Sequence, residues 1–197
     1  MMIAAFLQAA IGTAQRYACL SLGLWLCLAA PTAAAAQGDA VEEYRLKSAF
    51  IYNFSQFIEW PAMAFAKADS PFAICVMGHD PFGEALHALE KRSYNTHPIV
   101  INYPKSVVEA RTCKILYVDD LANAELGRNP HLALGDLPIL TISSDEGAMD
   151  AGIGIGFVDQ GGKLRWNLNL DVVRKAQLKV SAKLIEIAVM VVGERKR

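Results

Sequence analysis

Apolar residues return at helical spacing between Val41 and Ile58: Val41, Tyr44, Ile51, Phe54 and Ile58 line one face, and Phe50 and Phe57 widen it. Asp39 and Glu42 have the spacing of a capping box, and Pro61 forces Trp60 out of the α region. The pattern therefore predicts a helix that opens near Asp39 and closes before Pro61. A polar loop follows, and then the unbroken apolar run Phe72 to Met77 between Pro71 and Gly78, the form of a strand covered on both faces. His79 to Gly83 supplies turn chemistry, with Pro81 suited to open the next helix.

Beyond Gly83 helical and extended patterns alternate. A helix through Leu86 and Leu89, a strand over Pro98 to Asn102, a helix near Val107 to Arg111 and a strand over Lys114 to Val118 are expected, then a helix over Leu121 to Leu126 and a buried strand over Leu137 to Ile142. Ile153 to Val158 reads as a strand with Gly154 and Gly156 on one face, and Asp159-Gln160-Gly161-Gly162 as a hairpin turn into Lys163 to Leu168. Leu170 to Ala176 has helical character. Ser181 reads as the N-cap of a closing helix through Leu184, Ile185, Ala188 and Val191. The expected fold is α/β: a single domain with a mostly wound β-sheet flanked by helices on both faces and an antiparallel hairpin at one side.

The ends change the picture of where this domain works. Residues 1–36 contain no acidic residue, carry Arg16, an apolar stretch from Tyr17 to Ala30, Pro31 and then alanines, with Ala34 and Ala36 offering an A-x-A cleavage site before Gln37. This predicts a secretory signal peptide whose removal leaves 37–197 as one soluble exported domain. Cys19 and Cys27 lie inside that leader, and neither has the small preceding residues of a lipoprotein site in the right place. Lysine and arginine number 19 against 20 acidic residues, a formal net charge of −1 with no basic stripe, which excludes nucleic acid and anionic membrane as electrostatic partners. Cys75 and Cys113 are the two cysteines left after cleavage. An oxidising compartment favours their pairing, while two buried thiols in the core is the other reading.

No catalytic set assembles from the motifs. Gly152, Gly154 and Gly156 lack the spacing and the following helix of a dinucleotide fingerprint, and read as permitting close approach of backbone or a helix. Gly161-Gly162-Lys163 fails as a phosphate loop, because Phe157 stands at its first glycine position and Leu164 at its Ser/Thr position. His79, His87, His97 and His131 have no metal-ligand spacing, and there is no G-x-S-x-G elbow. Neither a metal nor a cofactor is expected. The acidic pairs Asp119-Asp120 and Asp145-Glu146 read as element ends. His79 and Asp80 in the turn are the sole suspects for an enzyme of unrecognised class. The aromatics remain: Trp60, Phe57, Tyr44, Phe157 and Trp166 could build a patch for a partner or ligand, although aromatic stripes mostly face inward. Trp60, at a helix end, is expected to be the most exposed of them, and Trp166 the next.

The chain resembles the YfiR family of small periplasmic proteins over nearly all of residues 37–197. The resemblance is carried by Ser48 to Pro61, Phe72 to Gly83, Cys113 to Val118, Leu140 to Ile142, Gly152 to Phe157, Leu164 to Leu170 and Leu178 to Ile187. It implies a disulfide between Cys75 and Cys113; the later second cysteine pair of some relatives has no counterpart here. It also implies a non-enzymatic repressor that binds the periplasmic domain of a membrane-bound diguanylate cyclase and lowers cyclic-di-GMP. An OmpA-like outer-membrane lipoprotein would sequester the repressor, and the resemblance is compatible with a homodimer. The alternative is a periplasmic small-molecule sensor acting on another signalling partner, its pocket lined by the same aromatics.

Overall fold

The computed structural model describes residues 32–120 and 130–193. The leader expected over residues 1–36 and the helix expected over Leu121 to Leu126 lie, wholly or for the most part, outside the described residues. The chain divides into two compact units, residues 1–41 and 42–197. Of the first the structure describes helical backbone from Thr32, and the sheet belongs to the second.

Helix α1 spans Thr32–Phe57, so it runs through the capping-box residues instead of opening there; the preceding alanines are the best helix formers available. Ile51, Phe54 and Ile58 are fully buried and Tyr44, Phe50 and Phe57 half-buried, whereas Val41 is exposed. The helix also stops short of Trp60. Ile58–Glu59 (β1) turns extended and pairs antiparallel with Lys179–Val180 (β9), a long-range contact that overrides local helical preference.

The second unit is built on an eight-stranded sheet: β2 (Phe72–Met77), β3 (Ser93–Tyr94), β4 (His97–Asn102), β5 (Ile115–Val118), β6 (Leu140–Ser143), β7 (Ile155–Asp159), β8 (Leu164–Asn169) and β10 (Val191–Val192). Their order is β10-β8-β7-β6-β5-β2-β4-β3. Strands β4, β2, β5, β6 and β7 are mutually parallel, and β8 returns antiparallel to β7 through the expected hairpin. Gly161 and Gly162 both have positive φ there, which a tight hairpin of this hand needs.

Alternation on the central strands explains why they are apolar throughout. Phe72, Ile74 and Val76 of β2, with Ile115 and Tyr117 of β5, pack on one side with Ile51 and Phe54 of α1, Leu86 of α2 (Glu84–His87), Val173 of α5 (Leu170–Lys175) and Leu184 of α6 (Ala182–Glu186). Ala73, Cys75 and Met77, with Leu116 and Val118, face a second core under Ala110 of α3 (Val107–Ala110) and Leu134 of α4 (Pro130–Leu134). Each large side chain so buried contributes on the order of 2 kcal/mol. Cys75 and Cys113 form a disulfide within the second core, their Cα atoms 6.0 Å apart. Gly154 admits a close approach: a Cβ there would lie 3.2 Å from the Thr141 carbonyl oxygen and from Val173.

Three further boundaries differ from the pattern. Pro81 does not open α2, which begins at Glu84 after Gly83. Ser181 does cap α6, accepting from the Leu184 amide at 3.3 Å, but that helix ends at Glu186. Val191 leaves it to join β10, where two β-branched residues gain a parallel partner in β8. Helix α4 falls where no element was expected.

Candidate functional site

In the parallel part of the sheet the chain leaves β2 towards β4 and then crosses back to β5, β6 and β7. Open α/β sheets place ligand sites outside the carboxyl ends of the strands where winding reverses, here β2 and β5. At that edge Gly78 turns the chain with φ +104°, and a Cβ on it would meet the Asp119 carbonyl oxygen at 2.7 Å. Glycine alone lets the two strand ends close up, held by the Asp119 amide donating to the Met77 carbonyl at 2.9 Å.

Helix α1 brings Tyr44 and Lys47 over this edge. The Tyr44 ring meets Phe82 edge-on at 5.3 Å, and Phe82 meets Tyr117 edge-on at 4.7 Å. The buried Tyr117 hydroxyl donates to Ser144 Oγ at 3.0 Å, giving the tyrosine the partner its burial requires. Lys47 is 4% exposed, with Nζ 2.6 Å from Glu43 Oε1 and 4.4 Å from the centre of the Tyr44 ring. The centre of the Phe157 ring is 5.9 Å from Nζ. A charge this deep is retained only where a partner compensates its desolvation.

Asp119 and the tyrosines beside it are shifted by burial. Burial pushes the Asp119 carboxyl up; His79 pulls it back, and Asp145 and Asp120 push it further up. Burial, then the charges of Asp119 and Glu43, raises the Tyr44 hydroxyl. Burial also raises Tyr117, against the hydrogen bond to Ser144. The result is a rim of aromatic, acidic and lysine groups. Among the described residues no group of three or more His, Cys, Asp or Glu side chains is placed to hold a metal.

The five aromatics singled out by sequence do not form one patch. Tyr44 sits at the rim. Phe157 and Trp166 lie under α1 against Phe50 and Phe54, with Trp166 5.0 Å from Phe50 and 5.2 Å from Phe54. Phe57 lies beneath Lys183 of α6 at 5.6 Å. Trp60 is at the opposite edge of the sheet, edge-on to Phe72 at 4.8 Å and to Tyr94 at 5.3 Å, its indole N–H donating to the Lys114 carbonyl at 3.3 Å.

The expected exposure of Trp60 and Trp166 is corrected: they are 7% and 5% exposed. The break before Pro61 turns Trp60 inward, where Phe72 and Tyr94 enclose it, and the alternation of β8 points Trp166 at α1. Sequence reasoning missed Lys47, Tyr117 and Ser144. The available signal was a lysine at a core position of the α1 stripe, three residues after Tyr44 and four before Ile51.

A family model described as YfiR/HmsC-like matches residues 44–189. No curated protein matches the chain. No helix among the described residues is long and apolar enough to cross a membrane.

Proposed function

The chain belongs to the YfiR/HmsC-like family, and from that premise we propose that it represses an inner-membrane diguanylate cyclase by binding the cyclase's periplasmic sensory domain, lowering cytoplasmic cyclic-di-GMP. At family level these proteins are periplasmic, non-catalytic regulators of diguanylate cyclases. The family match over residues 44–189 is the observation that carries the reading. Repression of this kind needs no chemistry from the repressor, only tighter binding to the inactive cyclase conformation than to the active one. Signal removal, sequestration by an OmpA-like lipoprotein and homodimer formation belong to the same proposal.

Of the five aromatics, Tyr44 is the proposed contact residue: it is half-buried, beside charged groups, and on the rim. Phe157 and Trp166 support the surface from within, while Trp60, at the opposite edge of the sheet, takes no part in it. The test is calorimetry of the purified domain against the periplasmic domains of diguanylate cyclases from the same genome. One of them should bind at micromolar affinity or tighter, and Tyr44→Ala should weaken it roughly tenfold, as for an anchoring aromatic. No binding to any of them would overturn the reading.

A second reading, a small-molecule sensor, is favoured by the position of the rim outside the carboxyl ends of β2 and β5. A metabolite that binds the domain alone and changes its affinity for the cyclase would support it.

A further inference from the structure

Beside the candidate site, four side chains from the β2 turn, the α2 region and the end of β4 meet in series. Asp80 Oδ1 accepts from the Phe82 amide at 2.9 Å, and its Oδ2 lies 3.0 Å from the Tyr103 hydroxyl. That hydroxyl is 2.9 Å from His87 Nε2, and His87 Nδ1 is 3.1 Å from Glu90 Oε2. Glu90 Oε1 in turn accepts from the Ile101 amide of β4 at 3.4 Å. Three contacts therefore stand in a row: Asp80 with Tyr103, Tyr103 with His87, and His87 with Glu90.

Each contact needs one proton between its heavy atoms. Ionised carboxylates bring none, tyrosine brings one and a neutral imidazole one. With neutral His87 the row is one proton short, and somewhere along it two acceptors face each other. An imidazolium brings two and completes all three contacts. We infer that Asp80, His87, Glu90 and Tyr103 form a proton-gated clasp, closed when His87 is protonated and open when it is neutral, which ties the turn after β2 to α2 and to the end of β4.

The surroundings agree with this proton count. Burial, and then the hydrogen bond to Asp80, raises the Tyr103 hydroxyl to about 12, so it keeps its proton. The hydrogen bond from His87 holds the Glu90 carboxyl below its ordinary range, so it does not supply the missing one. The charges that bear on Tyr103 are those of Asp80, Glu90 and Glu84. A carboxylate thus faces the clasp from the β2 turn, from α2 and from the helical turn after it.

Because Glu90 is lowered in the fold, its share is present above the ordinary carboxylate pKa and lost as pH falls through its folded value. On the other side, loss of the His87 proton opens the clasp, since the neutral ring leaves the row one proton short. The His87 and Glu90 side chains are 39% and 44% exposed, so both exchange protons freely with the medium. The clasp grips the same sheet edge that carries the candidate site, and it stands whether or not the repressor reading does.

The experiment is a nitrogen-15 NMR titration of the full exported protein from pH 8 to pH 5, following the His87 ring nitrogens with the Phe82 and Ile101 amides. Both amides should shift with the His87 midpoint. Their exchange, corrected for intrinsic rate, should slow roughly threefold or more on acidification, the effect of about one net hydrogen bond. In Tyr103→Phe the Phe82 response should vanish while His87 still titrates, and in His87→Gln both responses should vanish. Wild-type amides that ignore the His87 midpoint, a Phe82 response that survives in Tyr103→Phe, or an Ile101 response that survives in His87→Gln would overturn the inference. The side chains lie at the surface, and near-ultraviolet circular dichroism identical to wild type checks that the variants fold.

Discussion

Cys75, in the middle of β2, is bonded to Cys113, two residues before β5, and the bond closes a sequence separation of 38. β2 and β5 are already hydrogen-bonded neighbours, with Ile74 opposite Ile115. The bond therefore fastens a pairing the sheet makes anyway, and its stabilisation comes from restricting the unfolded chain. A closed loop of this length is worth about 4 kcal/mol in the chain-entropy model. Cys75→Ala/Cys113→Ala should lower the urea midpoint by that free energy, with the native far-ultraviolet spectrum retained. A loss below about 1 kcal/mol would contradict the assignment.

Trp60 and Trp166 are both buried, and the third tryptophan, Trp25, lies in the expected leader. The exported protein should emit at short wavelength and resist acrylamide quenching until it unfolds. Trp60→Ala should cost about 3–5 kcal/mol, as for a large aromatic removed from a core. Emission typical of water-exposed indole in the folded protein would contradict this placement.

Trp60 also shows what could and could not be read from the chain. The β2 and β5 runs, the β7–β8 hairpin and the Ser181 cap are written in local pattern: unbroken apolar stretches, paired glycines, a serine before a helix. The burial of Trp60 is written elsewhere, by Phe72 and Tyr94, and no local rule reaches that far. The strands β1, β3, β9 and β10 are two residues each, too short for any period, and exist because a partner strand is nearby. Of the candidate site, Tyr44 was legible. Lys47 was not, because a lysine in an apolar stripe ordinarily extends its charge to water.

Lys47 separates folding from function. Replacing a buried charge by an apolar chain of similar length is often neutral or stabilising, so Lys47→Met should unfold within about 1 kcal/mol of wild type. Lys47→Ala, which also leaves a void, should cost about 2 kcal/mol or more. If the rim docks the partner, Lys47→Met should keep the fold and weaken binding. A folded Lys47→Met that binds normally would remove this lysine from the interface.

Asp119 gives a pH signature. A carboxyl raised by folding penalises the folded state above its folded pKa, and the penalty fades as pH falls through that value towards the unfolded pKa. Asp119→Asn should therefore raise Tm at pH 7, and the gain should shrink towards zero by about pH 4. Tm followed across this range checks the sign. A lower Tm at pH 7 would mean that the attraction to His79 and Lys47 outweighs burial.

The central claim is repression, and cytoplasmic cyclic-di-GMP after deletion of the gene measures it most directly, with complementation by wild type and by Cys75→Ser/Cys113→Ser. The account predicts a rise on deletion, reversed by the wild type and reversed less well by the variant without the disulfide. An unchanged level on deletion, in cells shown to make the protein, would contradict it.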